Sequence, residues 1–423
     1  MSSSEYTPVL LTLSSLTPAL ALEVLPHGLT IHRLIVQADG RTHDIVIGPE
    51  SPADHAFQKY TNSVVGRYSN RVEVGTHKFE RKGVSGEMTA ILNEGSRVSL
   101  HGGPTGFDAV EWTQLNASDP PTLFTQKELA HVAKEGGSHA FFRLISPDGD
   151  QGFPGTLVTE ALVALVAPEE TESGAKEYDL GSVVLVYRAK LKSTTKAVTP
   201  VNLTQHWGFN LEASQKENQT GDDALTVKTH TLTIKSTHIA NRDSDSLSIG
   251  FLPSPGTVHD HSAKLIGDGY PKMGYDDYYK FGQKAYETVP TRLPVSVLES
   301  GEIDLLGDLL KSKSQRLEPV VELSSAKSGL KLVFDSNQGG VMFYSFAWTD
   351  ASKGARKKIH GGSGERGKGD SYGAGSAAFL EFHDPLAAFL DPANKDGEDT
   401  LLTSDELYHN YVRCDVRFAP PAA

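Results

Sequence analysis

Two short segments, GRYSNR (66–71) and SLHGGPTGFDAVEW (99–112), concentrate the residue types able to grip a ring of hydroxyls. Asn70 and Arg71 supply donors of fixed geometry and, through the Asn amide, an acceptor; His101 can donate, accept or move a proton near neutral pH. Gly102 and Gly103 let the backbone turn where a side chain would clash, or come close to a ligand. Each polar residue also has a plainer reading: Arg71 in an ordinary salt bridge, Asn70 as a turn residue, His101 as a turn residue whose ring caps backbone groups. Far downstream, AFLEFHDP (378–385) sets Glu381 among apolar neighbours. A carboxylate partly desolvated there is raised toward the working range of a general base, whereas a strand glutamate facing solvent is not. His206, in VNLTQHWGFNL (201–211), reads from its surroundings as a satisfied histidine of a β-strand.

The elements that must position these residues are strands. Period-two apolar alternation runs through LTIHRLIV (29–36), TLVTEALVALVA (156–167), VVLVYRAKL (183–191), LTVKTHTLTI (225–234), LKLVF (330–334) and VMFYSFAW (341–348). Turn clusters such as ADGR, SPDGDQGFPG and SNQGG bound them, and GAKEYDLGS (174–182) reads as a hairpin loop. Only GEIDLLGDLLKS (301–312) has helical apolar spacing. Many strands without interleaved helices predict an all-β, mostly antiparallel sandwich. No linker and no solenoid or propeller period divides residues 1–423, which are expected to form a single domain. The Gly-rich, basic stretch 353–376 is expected to be a mobile surface loop.

Composition narrows the function classes. A formal charge of −13 argues against a nucleic-acid partner. No run is apolar for long enough to cross a bilayer, so no membrane partner is expected. The N-terminal stretch lacks a basic region and is interrupted by Pro8 and Pro18, which reads as a lead into a first strand rather than a secretory signal. One cysteine, Cys414, excludes an internal disulfide and suits a reducing compartment; cytoplasm is the expectation.

Taken together, GRYSNR, LHGGPTGFDAVEW and NLTQHWGFNL resemble the signature segments of aldose 1-epimerases (galactose mutarotases), and the resemblance covers roughly residues 30–390 in the family's order. It implies a galactose mutarotase-like β-supersandwich with a carbohydrate cleft on one face, binding a small-molecule aldose as a monomer or weak homodimer. The implied activity is that of an isomerase: cofactor-free interconversion of α and β anomers, glucose and galactose being the default substrates. That reaction needs one general base at the C1 hydroxyl and one general acid at the ring oxygen, with no redox step and no carbanion, so neither cofactor nor metal is implied. By resemblance Glu381 is the base, matching the Leu-Glu core of an L-E-T-Q segment, and His206 is the acid. Asn70, Arg71 and His101 fall to substrate binding, as does Asp276 in GYDDYY (274–279).

Several positions depart from the family pattern. Phe382 and His383 replace Thr-Gln after Glu381; Trp207 and Gly208 replace Ser-Tyr after His206; Asp277 replaces a His after Asp276. Met342 stands where P-G-x-Q-F-Y carries a sugar-binding Gln, and a thioether donates nothing. Two alternatives follow: an epimerase for another sugar, such as a hexose 6-phosphate reached by Arg356, Lys357 and Lys358, or a catalytically weak sugar-binding or sensing paralogue. Glycoside cleavage would want two carboxylates flanking a bond, for which Asp276 and Glu381 are the available pair. GSGERG (362–367), HDH (259–261) and the sequons at Asn116, Asn202 and Asn218 are weak signals for nucleotide, metal or glycan.

Overall fold

A computed structural model describes residues 4–135, 137–169, 175–215, 225–282, 289–312, 319–391 and 398–420. Its backbone is built from antiparallel sheets, the largest of ten strands. The long strands Thr156–Val166, Tyr178–Lys192 and Glu406–Phe418 form the centre of that sheet. A six-stranded sheet runs in the order Trp207–Phe209, Ala378–His383, Gly340–Tyr344, Asp276–Phe281, Ser236–Arg242, Ser248–Pro253. A four-stranded sheet, Val9–Thr12 through Arg41–Asp44, lies near the N-terminus.

Alternation sets the layers. Along the strand Thr156–Val166, Ala161, Val163 and Leu165 enter the main core, which they share with Leu380, Phe382, Val341 and Phe343 of the six-stranded sheet. Leu162, Ala164 and Val166 point the other way, into a second core with Val132, Leu306, Leu309 and Leu310. The centre of the large sheet is therefore apolar on both faces. In the six-stranded sheet the residues between the core positions, among them Glu381 and Met342, face the opposite side.

Local chemistry explains where sequence and structure differ. The segment 301–312 is not an α-helix. Gly301 (φ +66°) ends a short helix, Ser296–Ser300, and the Asp304 carboxylate accepts from the N–H groups of Leu306 (3.2 Å) and Gly307 (2.7 Å). That Asx-type turn competes with helix propagation, yet the leucines still cover the sheet. A true helix, Gln126–Glu135, lies where none was expected; Thr125 and Glu128 form its capping box (3.2 and 2.9 Å). Strands are also shorter than expected: 225–234 becomes extended only at Thr231, running to Ile234, and 341–348 stays extended only to Tyr344. The expected hairpin loop 174–182 already becomes strand at Tyr178, and residue 174 lies outside the described residues.

The stretch 353–376, read as a mobile surface loop, is pinned at its centre. Lys357 is fully buried; its Nζ lies 2.8 Å from Asp44 Oδ2 and donates to the carbonyls of His32 (2.6 Å) and Val46 (2.8 Å). His360 and Tyr372 are buried beside it, joined at 2.7 Å. A buried ammonium with three oxygen partners holds the segment as an anchor does.

Candidate active site

GRYSNR and LHGGPTG meet back to back. A Cβ on Gly102 (φ +87°) would lie 2.1 Å from the carbonyl oxygen of Gly66, so only glycine permits this approach. The first arginine of the motif is structural: Arg67 is buried, donating to Ser146 Oγ (2.8 Å) and to the carbonyls of Ser146, Pro147 and Gly155 (2.9, 2.7 and 2.8 Å). It thereby ties the SPDGDQGFPG turn to this end of the cleft. Asn70 (φ +63°) and His101 (φ +52°) both sit in left-handed backbone, which fixes their side chains by turning the chain. The Asn70 N–H donates to Nδ1 of His101 at 3.2 Å. His101 is buried and held well below its usual range by that burial, with His206 and Arg71 adding to it. The neutral ring then carries its proton on Nε2.

Arg71 is clamped by Glu94, donating through Nε (2.6 Å) and Nη2 (3.1 Å), and its Nη1 lies 3.6 Å from Asp276. Burial acts to lower Arg71, but Glu94 and Asp276 outweigh it and raise it. Asp276 in turn accepts from Arg242 (3.2 Å), while the neighbouring Asp277 takes the other arm of that guanidinium (3.1 Å). Burial raises Asp276 and the two arginines oppose the rise.

Glu381 and His206 meet on the floor. Register pairs Trp207 with Leu380 and Gly208 with Phe379, which sets His206 opposite Glu381; Nε2 and Oε1 are 3.2 Å apart. Burial pushes Glu381 well above the carboxylate range, Asp276 adding to the rise and Arg71 opposing it, and pushes His206 down to about 4. The two shifts run in opposite directions, so burial favours the uncharged pair, with the carboxyl protonated and the imidazole neutral. The second Glu381 oxygen is buried without a hydrogen-bond partner among the described residues.

All six residues singled out in the sequence, Asn70, Arg71, His101, His206, Asp276 and Glu381, line one cleft of about 580 Å³. The aromatic walls escaped the sequence reading. Tyr60 lies 4.7 Å from the His101 ring, Phe379 lies 4.9 Å from the His206 ring, and Phe346 and Trp348 stand toward the mouth. Phe379 explains one departure: a Cβ on Gly208 would lie 2.5 Å from its ring, so a tyrosine at 208 and this phenylalanine exclude each other. Glu94 and Arg242 were also missed, since only the folded register brings them to Arg71 and Asp276.

Other motifs fall elsewhere. His259 and His261 both bond the Tyr279 hydroxyl (3.0 and 3.1 Å), and Asn202 is buried against the backbone of Asp384 (3.0 Å). Asn218 lies outside the described residues. His101, His206 and Glu381 are the one group among the described residues with ligand atoms within 4.8 Å of one another, a spacing open to a cation. The Asn70 amide works against it, because it occupies Nδ1 of His101 and keeps the proton on Nε2.

The chain matches the aldose 1-epimerase family model over residues 12–368, and it belongs to that family. Galactose mutarotase of Bos taurus is 33% identical over 211 residues, 49% of each chain. Aldose 1-epimerase of Escherichia coli K12 is 28% identical over 246 residues, 57% of each. The chain thus spans about half the length of the curated relatives it matches. An aldose epimerase homologue from C. elegans shares the fold with a TM-score of 0.66 at 16% identity, over 97% of this chain and 99% of that one. Galactose 1-epimerase from Lactobacillus acidophilus gives 0.62 at 16%, over 97% and 98%. The fold is galactose mutarotase-like.

Proposed function

We propose that the chain interconverts the α and β anomers of aldohexoses such as glucose and galactose by acid–base ring opening, without a cofactor. The observation that carries this reading is the 3.2 Å contact of His206 and Glu381 at the bottom of a cleft whose other polar groups are hydroxyl partners. With a cyclic sugar bound, the proton passes from Glu381 to His206 across their 3.2 Å contact; the Glu381 carboxylate then takes the O1 proton as the C1–O5 bond breaks, and the His206 imidazolium delivers its proton to O5. The products are an aldehyde, a neutral carboxyl and a neutral imidazole. Rotation about C1–C2 and the reverse transfers close the other face. One proton serves the pair throughout, and burial favours the uncharged form that accompanies the open chain, so ring opening discharges a buried ion pair. His101, donating from Nε2, orients the ring; Asn70, Arg71 and Asp276 hold the hydroxyls beyond C2.

The cleft favours an unphosphorylated sugar. Its lining cations are Lys59 and Arg71, the latter already paired with Glu94, while Lys357 is committed to Asp44. A lone, unpaired thiol at Cys414 suits the reducing cytoplasm as the place of action. Polarimetry of fresh α-D-glucose and α-D-galactose tests the proposal. Acceleration by the wild type and its loss in His206→Ala are expected; no acceleration by the wild type rejects the reading, and an unimpaired variant rejects the role of His206.

A further inference from the structure

On one face of the six-stranded sheet four side chains stand in one row, and three of them, His206, Glu381 and Met342, line the cleft. Register pairs Glu381 with Met342 and Met342 with Tyr278, on the side of Glu381 away from His206. The order is therefore His206, Glu381, Met342, Tyr278, at the strand spacing of about 4.8 Å. Met342 is almost wholly buried, lines the cleft and packs with Tyr278, Ala240 and Leu386. A thioether accepts hydrogen bonds weakly and donates none.

The row fixes how a sugar lies on it, given the proposed acid–base reading on which this inference rests. O5 must approach His206 and O1 must approach Glu381. In the ring C1 has two neighbours, O5 and C2, so with O5 toward His206 the C2 side points along the row to Met342. We propose that Met342 is the specificity-determining residue for the substituent at C2, and that the site takes aldoses lacking a C2 hydroxyl at least as well as those carrying one. A C2 hydroxyl over the thioether gives up water without gaining a partner; a C2 methylene loses nothing there.

The test compares D-glucose with 2-deoxy-D-glucose on the full chain, each rate normalised to its own uncatalysed rate, with affinities measured by calorimetry in parallel. The ratio of two sugars on one preparation does not depend on the fraction folded, so a poorly folding variant remains informative. Wild type is expected to favour 2-deoxyglucose or to treat the two alike. Met342→Gln should shift the ratio toward glucose by about two- to tenfold, the yield of one neutral hydrogen bond, mainly through KM. Met342→Leu should leave the ratio in place, and 3-deoxyglucose should not respond to Met342→Gln. A wild type strongly favouring glucose, or a Met342→Gln ratio that stays put, overturns the proposal. If the wild type accelerates neither sugar, the catalytic reading fails, and the calorimetric ratio alone decides the role of Met342.

Discussion

Two buried acid–base pairs in this molecule are built in opposite ways. Arg188 and Glu128 meet in a bidentate contact (2.7 and 2.6 Å), and every other polar need is met nearby: Glu128 also accepts from the N–H groups of Thr125 (2.9 Å) and Leu305 (3.0 Å), and Arg188 donates to the Leu123 carbonyl (2.9 Å). His206 and Glu381 meet through a single contact, and one carboxylate oxygen has no protein partner among the described residues. The first pair joins the helix Gln126–Glu135 to the large sheet. The second lines a cleft. A fully satisfied pair has nothing left to offer a ligand, whereas an incompletely satisfied one is costly to fold and available for chemistry.

Neutralising each acid separates the two designs. Glu381→Gln should lower the anomerisation rate by about 10²–10⁴, the yield of one general base, with the thermal midpoint unchanged or raised. Polarimetry and a melting curve on the same sample check both halves, and a variant that keeps its rate removes Glu381 from the reaction. Glu128→Gln should do the reverse. It leaves Arg188 buried and uncompensated, a loss of about 3–5 kcal/mol in denaturant unfolding, while the protein that remains folded keeps its rate per molecule. If Glu128→Gln lost rate instead of stability, the contrast between the pairs would collapse.

The same contrast governs how much the sequence disclosed. Six of the polar residues that line the cleft sit in short motifs whose letters carry chemistry, so their positions could be named, and the strand pattern led to the right fold class. The structural pair was legible in part: Thr125-Gln-Lys-Glu128 is a capping box and marks a helix start that the strand-dominated reading passed over. Arg188 sits inside an apolar strand, and nothing local says that its partner lies 60 residues earlier. Lys357 was misleading, because its Gly-rich neighbours suggest solvent while Asp44, more than 300 residues away, draws it into the interior. Phe379 and Glu94 escaped for a related reason. Their roles come from which strand or turn they face, and register is a property of the fold, not of a window of letters.

A smaller effect probes the cost of leaving Glu381 incompletely satisfied. Burial raises Glu381 above the unfolded value of 4.5. Its stabilising contribution, the proton retained on folding, is complete below that value and is lost as pH rises toward the folded one. Between the two, the folded chain holds a proton that the unfolded chain has released, so wild-type stability declines relative to Glu381→Gln by about 1.4 kcal/mol per pH unit. His206 enters both proteins and largely cancels: pushed down to about 4, it destabilises the fold at pH below its unfolded value of 6.5 in each. Denaturant unfolding of both proteins at pH 5, 6 and 7 should therefore give a difference that widens with pH in favour of the variant. A difference that stayed flat would mean that the carboxyl ionises in the folded cleft as easily as in water, and the proposed uncharged resting pair would have to be abandoned.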